Sequence, residues 1–114
     1  MTITIWHNPR CSKSRQTLAL LEDRGHSFNI RPYLQDPPDA NQIKAALDAL
    51  GIPAIDLVRR GETVFKEQGL SRDSSDAELI AAMAAHPILI ERPVVFANGA
   101  ARLGRPPEAV LEIL

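Results

Sequence analysis

The sequence predicts an α/β fold in the order β-α-β, then a helical insertion, then β-β-α. Three observations predict it. Thr2-Ile3-Thr4-Ile5 alternates as a strand does, and Ser14-Arg15-Gln16-Thr17-Leu18-Ala19-Leu20-Leu21 behind it reads as a helix. A second alternating run, Ser27-Phe28-Asn29-Ile30-Arg31, completes a strand-helix-strand unit, which implies parallel pairing and a right-handed crossover. Val94-Val95-Phe96-Ala97 and Ala100 to Leu103 flank Asn98-Gly99, a pair suited to the two positive φ angles of a type I′ hairpin turn.

Each remaining element has its own local signal. The first helix, about Ser12 to Arg24, stops at Gly25, a normal left-handed cap position. Tyr33 to Pro38 reads as a loop, because two prolines cannot feed a helix interior. Asp39-Ala40-Asn41-Gln42 has the form of a capping box and opens a helix with Ile43, Ala46, Leu47 and Leu50 on one face, ending at Gly51. From Pro53 to Gly69 the pattern gives two short helical pieces broken at Gly61. Ser75 to Glu78 is a second capping box, opening a helix with Leu79, Ile80 and Met83 inward and closing before Pro87. Pro106-Pro107-Glu108 starts a C-terminal helix through Val110, Leu111 and Leu114. This order is the thioredoxin-like topology with a helical segment added between its halves, expected as one domain over residues 1–114.

Composition limits the partners. At 114 residues with a net charge of −1, the chain can bury a core and offers no bulk charge for nucleic acid or a membrane surface. No apolar run is long enough to span a bilayer and no basic, apolar leader precedes the first strand, so the expected location is cytoplasmic. A single cysteine excludes an internal disulfide and a Cys-x-x-Cys pair. No histidines or carboxylates join it at metal-ligand spacing, so no metal is expected. Ten of the thirteen basic residues are arginine, which fits oxyanion binding and biased codon usage equally well.

That cysteine, Cys11, sits at the strand-to-helix corner Trp6-His7-Asn8-Pro9-Arg10-Cys11-Ser12-Lys13-Ser14-Arg15. Unpaired N–H groups and the positive end of the helix dipole favour a thiolate there, and His7, Arg10, Lys13 and Arg15 add cationic capacity. The reading is an exposed, activated nucleophile; the bland alternative is a small buried hydrophobe. His7 is a candidate partner of the thiolate or a satisfied structural histidine. A tyrosine-phosphatase-type loop needs an arginine six residues after the cysteine, where this chain has Thr17. In the thioredoxin-like layout, Glu91-Arg92-Pro93-Val94 rises beside the corner. Pro93 is then the expected cis-proline, Arg92 points at Cys11, and Arg102 and Arg105 flank the return strand on the same side.

With these residues in view, the chain resembles the glutaredoxin-dependent arsenate reductase (ArsC) family, in its housekeeping ArsC-like bacterial branch. The resemblance covers nearly the whole chain. It rests on His7-Asn8-Pro9-Arg10-Cys11, Tyr33-Leu34 with Pro37-Pro38, Leu57-Val58-Arg59, Gly69-Leu70, His86 to Pro93 and Arg102-Leu103-Gly104-Arg105-Pro106. It implies that Cys11 is the catalytic cysteine and that Arg59, Arg92 and Arg105 bind the oxyanion. It also implies arsenate as substrate, glutathione as co-substrate, glutaredoxin as partner and no bound cofactor. A single cysteine fits such chemistry if the second thiol is borrowed.

Two other readings share the fold. One is a Spx-like regulator that binds RNA polymerase; Ser14 stands where a Cys-x-x-Cys switch would have its second thiol. The other is a monothiol-glutaredoxin-like carrier, for which the usual Cys-Gly-Phe-Ser corner is absent and Arg59 and Arg92 would be surplus.

Overall fold

Strand β1, Thr4–Trp6, is the axis of a four-stranded sheet in the computed structural model, which describes residues 2–114. It pairs in parallel with β2, Asn29–Arg31, and antiparallel with β3, Val94–Ala97; β3 pairs in turn with β4, Ala100–Leu103. The spatial order is β2-β1-β3-β4. Helix α1, Ser12–Asp23, makes the crossover from β1 to β2. Asn98 and Gly99 take φ of 54° and 77°, as the β3–β4 hairpin turn requires.

Because side chains alternate across a strand, the sheet sorts its apolar residues onto two faces. Ile3, Ile5, Val95 and Ala97 pack with Leu21 of α1 and with Val110 and Ile113. A fully buried aliphatic side chain of this size contributes about 1.5–3 kcal/mol. Trp6 and Phe96 point the other way and touch, with ring centroids 5.0 Å apart, while the Arg31 guanidinium lies 5.8 Å from the Trp6 ring. Both β2 and β4 are edges. On β2, Ile30 is half exposed, and the strand is shorter than the alternating run that predicts it.

The C-terminal segment departs from expectation. Pro107–Ile113 is a 3₁₀ helix, not an α-helix. Its buried residues are Pro107, Val110 and Ile113, spaced by three, and Leu114 packs partly buried against the same core. Three residues per turn stacks every third side chain, and that period places Val110 and Ile113 in the sheet's core.

Contacts divide the chain into two compact units. One runs up to Asp36 and resumes from Arg92 to Leu114; it contains the whole sheet. The other is Pro37–Glu91 and is helical: α2 (Ala40–Leu50), α3 (Ala54–Leu57), α4 (Thr63–Glu67), α5 (Asp76–Ala85) and a 3₁₀ turn at Pro87–Leu89. Both expected capping boxes form, Asp39 with Gln42 and Ser75 with Glu78, each side chain satisfying the other residue's N–H. Ile43, Ala46, Leu47, Leu57, Leu79, Met83 and Leu89 are buried in this unit. Val58 and Ile90 form one antiparallel bridge there, flanked by hydrogen bonds Arg59 N to Leu89 O and Glu91 N to Leu57 O, each 2.7 Å. No helix among the described residues is long and apolar enough to cross a membrane.

Candidate active site

The corner after β1 is held by its own polar atoms. The Asn8 side-chain oxygen accepts from Arg10 N at 3.0 Å, and the Asn8 carbonyl accepts from Cys11 N at 3.0 Å. These two bonds curl the chain so that Cys11 becomes the cap residue of α1, with extended backbone (φ −93°, ψ 123°). Arg15 N then makes the first helical bond to Cys11 O, and the Arg15 guanidinium reaches back to Pro9 O at 2.9 Å.

Ser14, fully buried on the first turn of α1, ties the loop from inside. Its Oγ accepts from Asn8 N at 3.0 Å and lies 2.6 Å from His7 Nδ1. Burial first, and then the Arg15 charge, lower the His7 pKa, so the ring is neutral at pH 7. A neutral ring lacking a proton on Nδ1 accepts the Ser14 O–H, which leaves the Ser14 oxygen to accept Asn8 N–H. His7 thus acts on the loop through Ser14. The same Ser14 carries a backbone N–H that favours the Cys11 thiolate.

Two arginines reach the sulfur from the far end of the hairpin. Arg105 Nη2 lies 3.5 Å from Cys11 Sγ, and Arg105 Nε donates to Arg92 O at 2.9 Å. Burial pushes the Cys11 thiol up. Against it act the Ser14 N–H, a side-chain hydrogen bond from Arg92, the Lys13 N–H and the Arg105 charge, and the balance lies below the ordinary thiol value. The arrangement offers a thiolate beside two planar cations that can grip a tetrahedral oxyanion at two points each.

The register explains why distant residues meet. Val94 pairs with Leu103, and the ladder continues past the strand ends with Gly104 N donating to Pro93 O at 3.0 Å. One step further, Arg92 and Arg105 stand opposite each other. Each is followed by a cis peptide bond, Arg92–Pro93 and Arg105–Pro106. Pro93 is the cis-proline the sequence leads one to expect; the second is not foreseen.

Arg59 belongs to the helical unit. Its Nε lies 3.3 Å from Glu62 and its Nη1 3.4 Å from Glu91, with all three side chains about a quarter exposed. Arg102 is engaged with Glu112 at 3.2 Å and with Ala101 O at 2.7 Å. Sequence reasoning overlooked Ser14, Asn8, Thr17 and Gly104 as parts of this site. Ser14 carried a signal as a small hydroxyl residue in the first turn of the helix, and Asn8 and Gly104 lie inside motifs that carry the resemblance.

Comparison with known proteins gives the family and the fold. The profile of the ArsC family, described as "ArsC family", matches residues 6–113. The chain belongs to the ArsC family. It is 49% identical to the Escherichia coli K12 protein called "Uncharacterized protein YfgD", covering 98% of this chain and 96% of that one. It is 45% identical to a Neisseria meningitidis serogroup A protein called "Arsenate reductase", covering 98% and 97%. Among solved structures, "Arsenate reductase from Vibrio cholerae" superposes with a TM-score of 0.96 at 49% identity, covering all of this chain and 98% of that one. The thioredoxin-like fold of the ArsC reductases is therefore the fold of this chain.

Proposed function

We propose that this protein reduces arsenate to arsenite through the single nucleophile Cys11, with glutathione and glutaredoxin supplying the electrons. The observation that carries the proposal is the meeting of Arg105 and Arg92 with the Cys11 sulfur at the N-terminus of α1. Similar proteins named arsenate reductase support the choice of substrate. The Cys11 thiolate attacks arsenic, an S–As bond forms, and one arsenate oxygen leaves as water. Arg92 and Arg105 offset the negative charge of the adduct. A glutathione thiolate then attacks the Cys11 sulfur; an S–S bond forms as the S–As bond breaks, its electron pair stays on arsenic, and arsenite leaves. A glutaredoxin thiol takes the glutathionyl group from the mixed disulfide and returns Cys11 to its thiolate. Over one cycle two thiols lose two protons and two electrons to become a disulfide; arsenate gives arsenite and water. The resemblance gives Arg59 a share in binding the oxyanion, which enters the proposal as a kinetic expectation.

The test is arsenite production by purified protein with glutathione and glutaredoxin, run beside Cys11→Ser. Turnover that depends on Cys11 and on both donors supports the proposal. A folded, alkylatable protein that yields no arsenite and is recovered with RNA polymerase from extract overturns it in favour of the regulator.

A further inference from the structure

Gly104 differs from the other glycines of the chain. At Gly25, Gly51, Gly61, Gly69 and Gly99 an added Cβ would meet nothing within 4 Å. At Gly104 it would collide with Thr17 Oγ1 and lie 2.6 Å from Pro93 Cγ and 3.1 Å from Pro93 Cδ. Its backbone does not occupy the left-handed region, so conformation does not call for glycine here. Space does.

Three elements of the site converge on that space. Thr17 is a fully buried residue of α1, and its Oγ1 donates to Lys13 O at 2.8 Å, in the turn whose N–H groups face the sulfur. Pro93 follows Arg92 directly, and Gly104 precedes Arg105 directly. Gly104 N donates to Pro93 O, and the Arg105 side chain bonds Arg92 O. Any group at Gly104 would wedge α1 away from the paired ends of β3 and β4. The sulfur rides on α1, and both guanidinium groups ride on the strand ends.

We infer that Gly104 is a positioning residue: its missing side chain lets α1 dock closely enough to bring Cys11 within reach of Arg92 and Arg105. The inference concerns the thiolate alone and stands whether or not arsenate is the substrate.

The test is the pH dependence of Cys11 alkylation in folded Gly104→Ala. The charged groups that face the sulfur are Arg92 and Arg105, so withdrawing them is expected to raise the apparent thiol pKa by about one unit, roughly tenfold less thiolate below that pKa. Val110→Ala controls for general destabilisation; it opens the core of the same unit and is expected to leave the profile in place. Thr17→Ile pushes into the same crevice from the helix and is expected to shift the profile in the same direction, deciding the question if Gly104→Ala does not fold. Adding Thr17→Ala to Gly104→Ala relieves the collision on the helix side and is expected to recover part of the shift. A folded Gly104→Ala with the wild-type profile overturns the inference. So does an equal shift in Val110→Ala.

Discussion

The two units of the chain each hold arginines of the kind that binds oxyanions, in opposite company. In the sheet unit Arg92 and Arg105 converge on the Cys11 sulfur, and Arg105 also donates to the Arg92 backbone carbonyl. In the helical unit Arg59 lies between two carboxylates, Glu62 and Glu91. A guanidinium beside a thiolate adds its attraction to that of an arriving anion's partner groups and lowers the cost of charge at the sulfur. One beside carboxylates already has its charge answered, and an arriving anion must compete with them. Residue type is the same in both places; the electrostatic work available is not.

The largest effects should therefore come from the sheet unit. Cys11→Ser should fold and lose both alkylation at this position and arsenite production, measured by mass spectrometry and the coupled assay. Next comes Arg92→Lys, which keeps the charge but loses the planar two-point grip. It should lower arsenate turnover by about two to three decades, the ~2–4 kcal/mol typical of losing one charge-assisted donor to an oxyanion. Arg59→Lys sharpens the contrast. With its charge shared between two carboxylates, it should cost about tenfold in kcat/KM, roughly 1.4 kcal/mol. Equal losses at Arg59 and Arg92 would break the comparison.

The fold was legible because its signals are local. The Asn98-Gly99 turn, both capping boxes and the break at Gly61 each depend on a few adjacent residues, and each lies where expected. The C-terminal helix lies where expected, but it is 3₁₀, with Pro107, Val110 and Ile113 buried every third residue. At the site, Cys11 announced itself by standing at a strand-to-helix corner, and Arg92 by preceding Pro93. The Gly104 crevice could not be read. It exists only once the ladder of β3 and β4 has set Gly104 opposite Pro93 and α1 has brought Thr17 onto both. Nor could Glu91 be foreseen beside Arg59, since the two meet through the Val58–Ile90 bridge, whereas Glu62 lies three residues along the chain.

A smaller effect concerns pH. Against the burial that raises it, the Ser14 N–H, Arg92, the Lys13 N–H and Arg105 hold the Cys11 pKa below its ordinary value. The native protein should thus alkylate faster than unfolded chain below about pH 8.5, the unperturbed value, and the advantage should close above it. Arg105→Ala should move the native profile up. His7 gives a second signature, because its native pKa is depressed. The unfolded chain binds that proton first as pH falls, so this contribution to stability is present above about 6.5 and lost as pH falls through the lower native pKa. His7→Gln should flatten that part of the stability curve, read from urea midpoints between pH 7 and 5. An unchanged slope would remove neutral His7 as a support of the Ser14 contact.

The smallest effect expected at the site comes from the helical unit's best-formed local structure. Asp39 and Ser75 each satisfy an otherwise unpaired helix N–H, and their partners Gln42 and Glu78 return the bond. Replacing either cap by alanine should cost about 1 kcal/mol of stability, seen as a lower urea midpoint. Neither cap belongs to the unit that carries Cys11, Arg92 and Arg105, so neither replacement should shift the alkylation profile. Arg105→Ala should do the reverse, shifting the profile with little loss of stability, because its guanidinium is exposed and exposed charge contacts stabilise little. A cap variant that moved the Cys11 profile as far as Arg105→Ala does would mean that the helical unit also tunes the thiolate. The contrast between the two sets of arginines would then have to be drawn within one coupled electrostatic site.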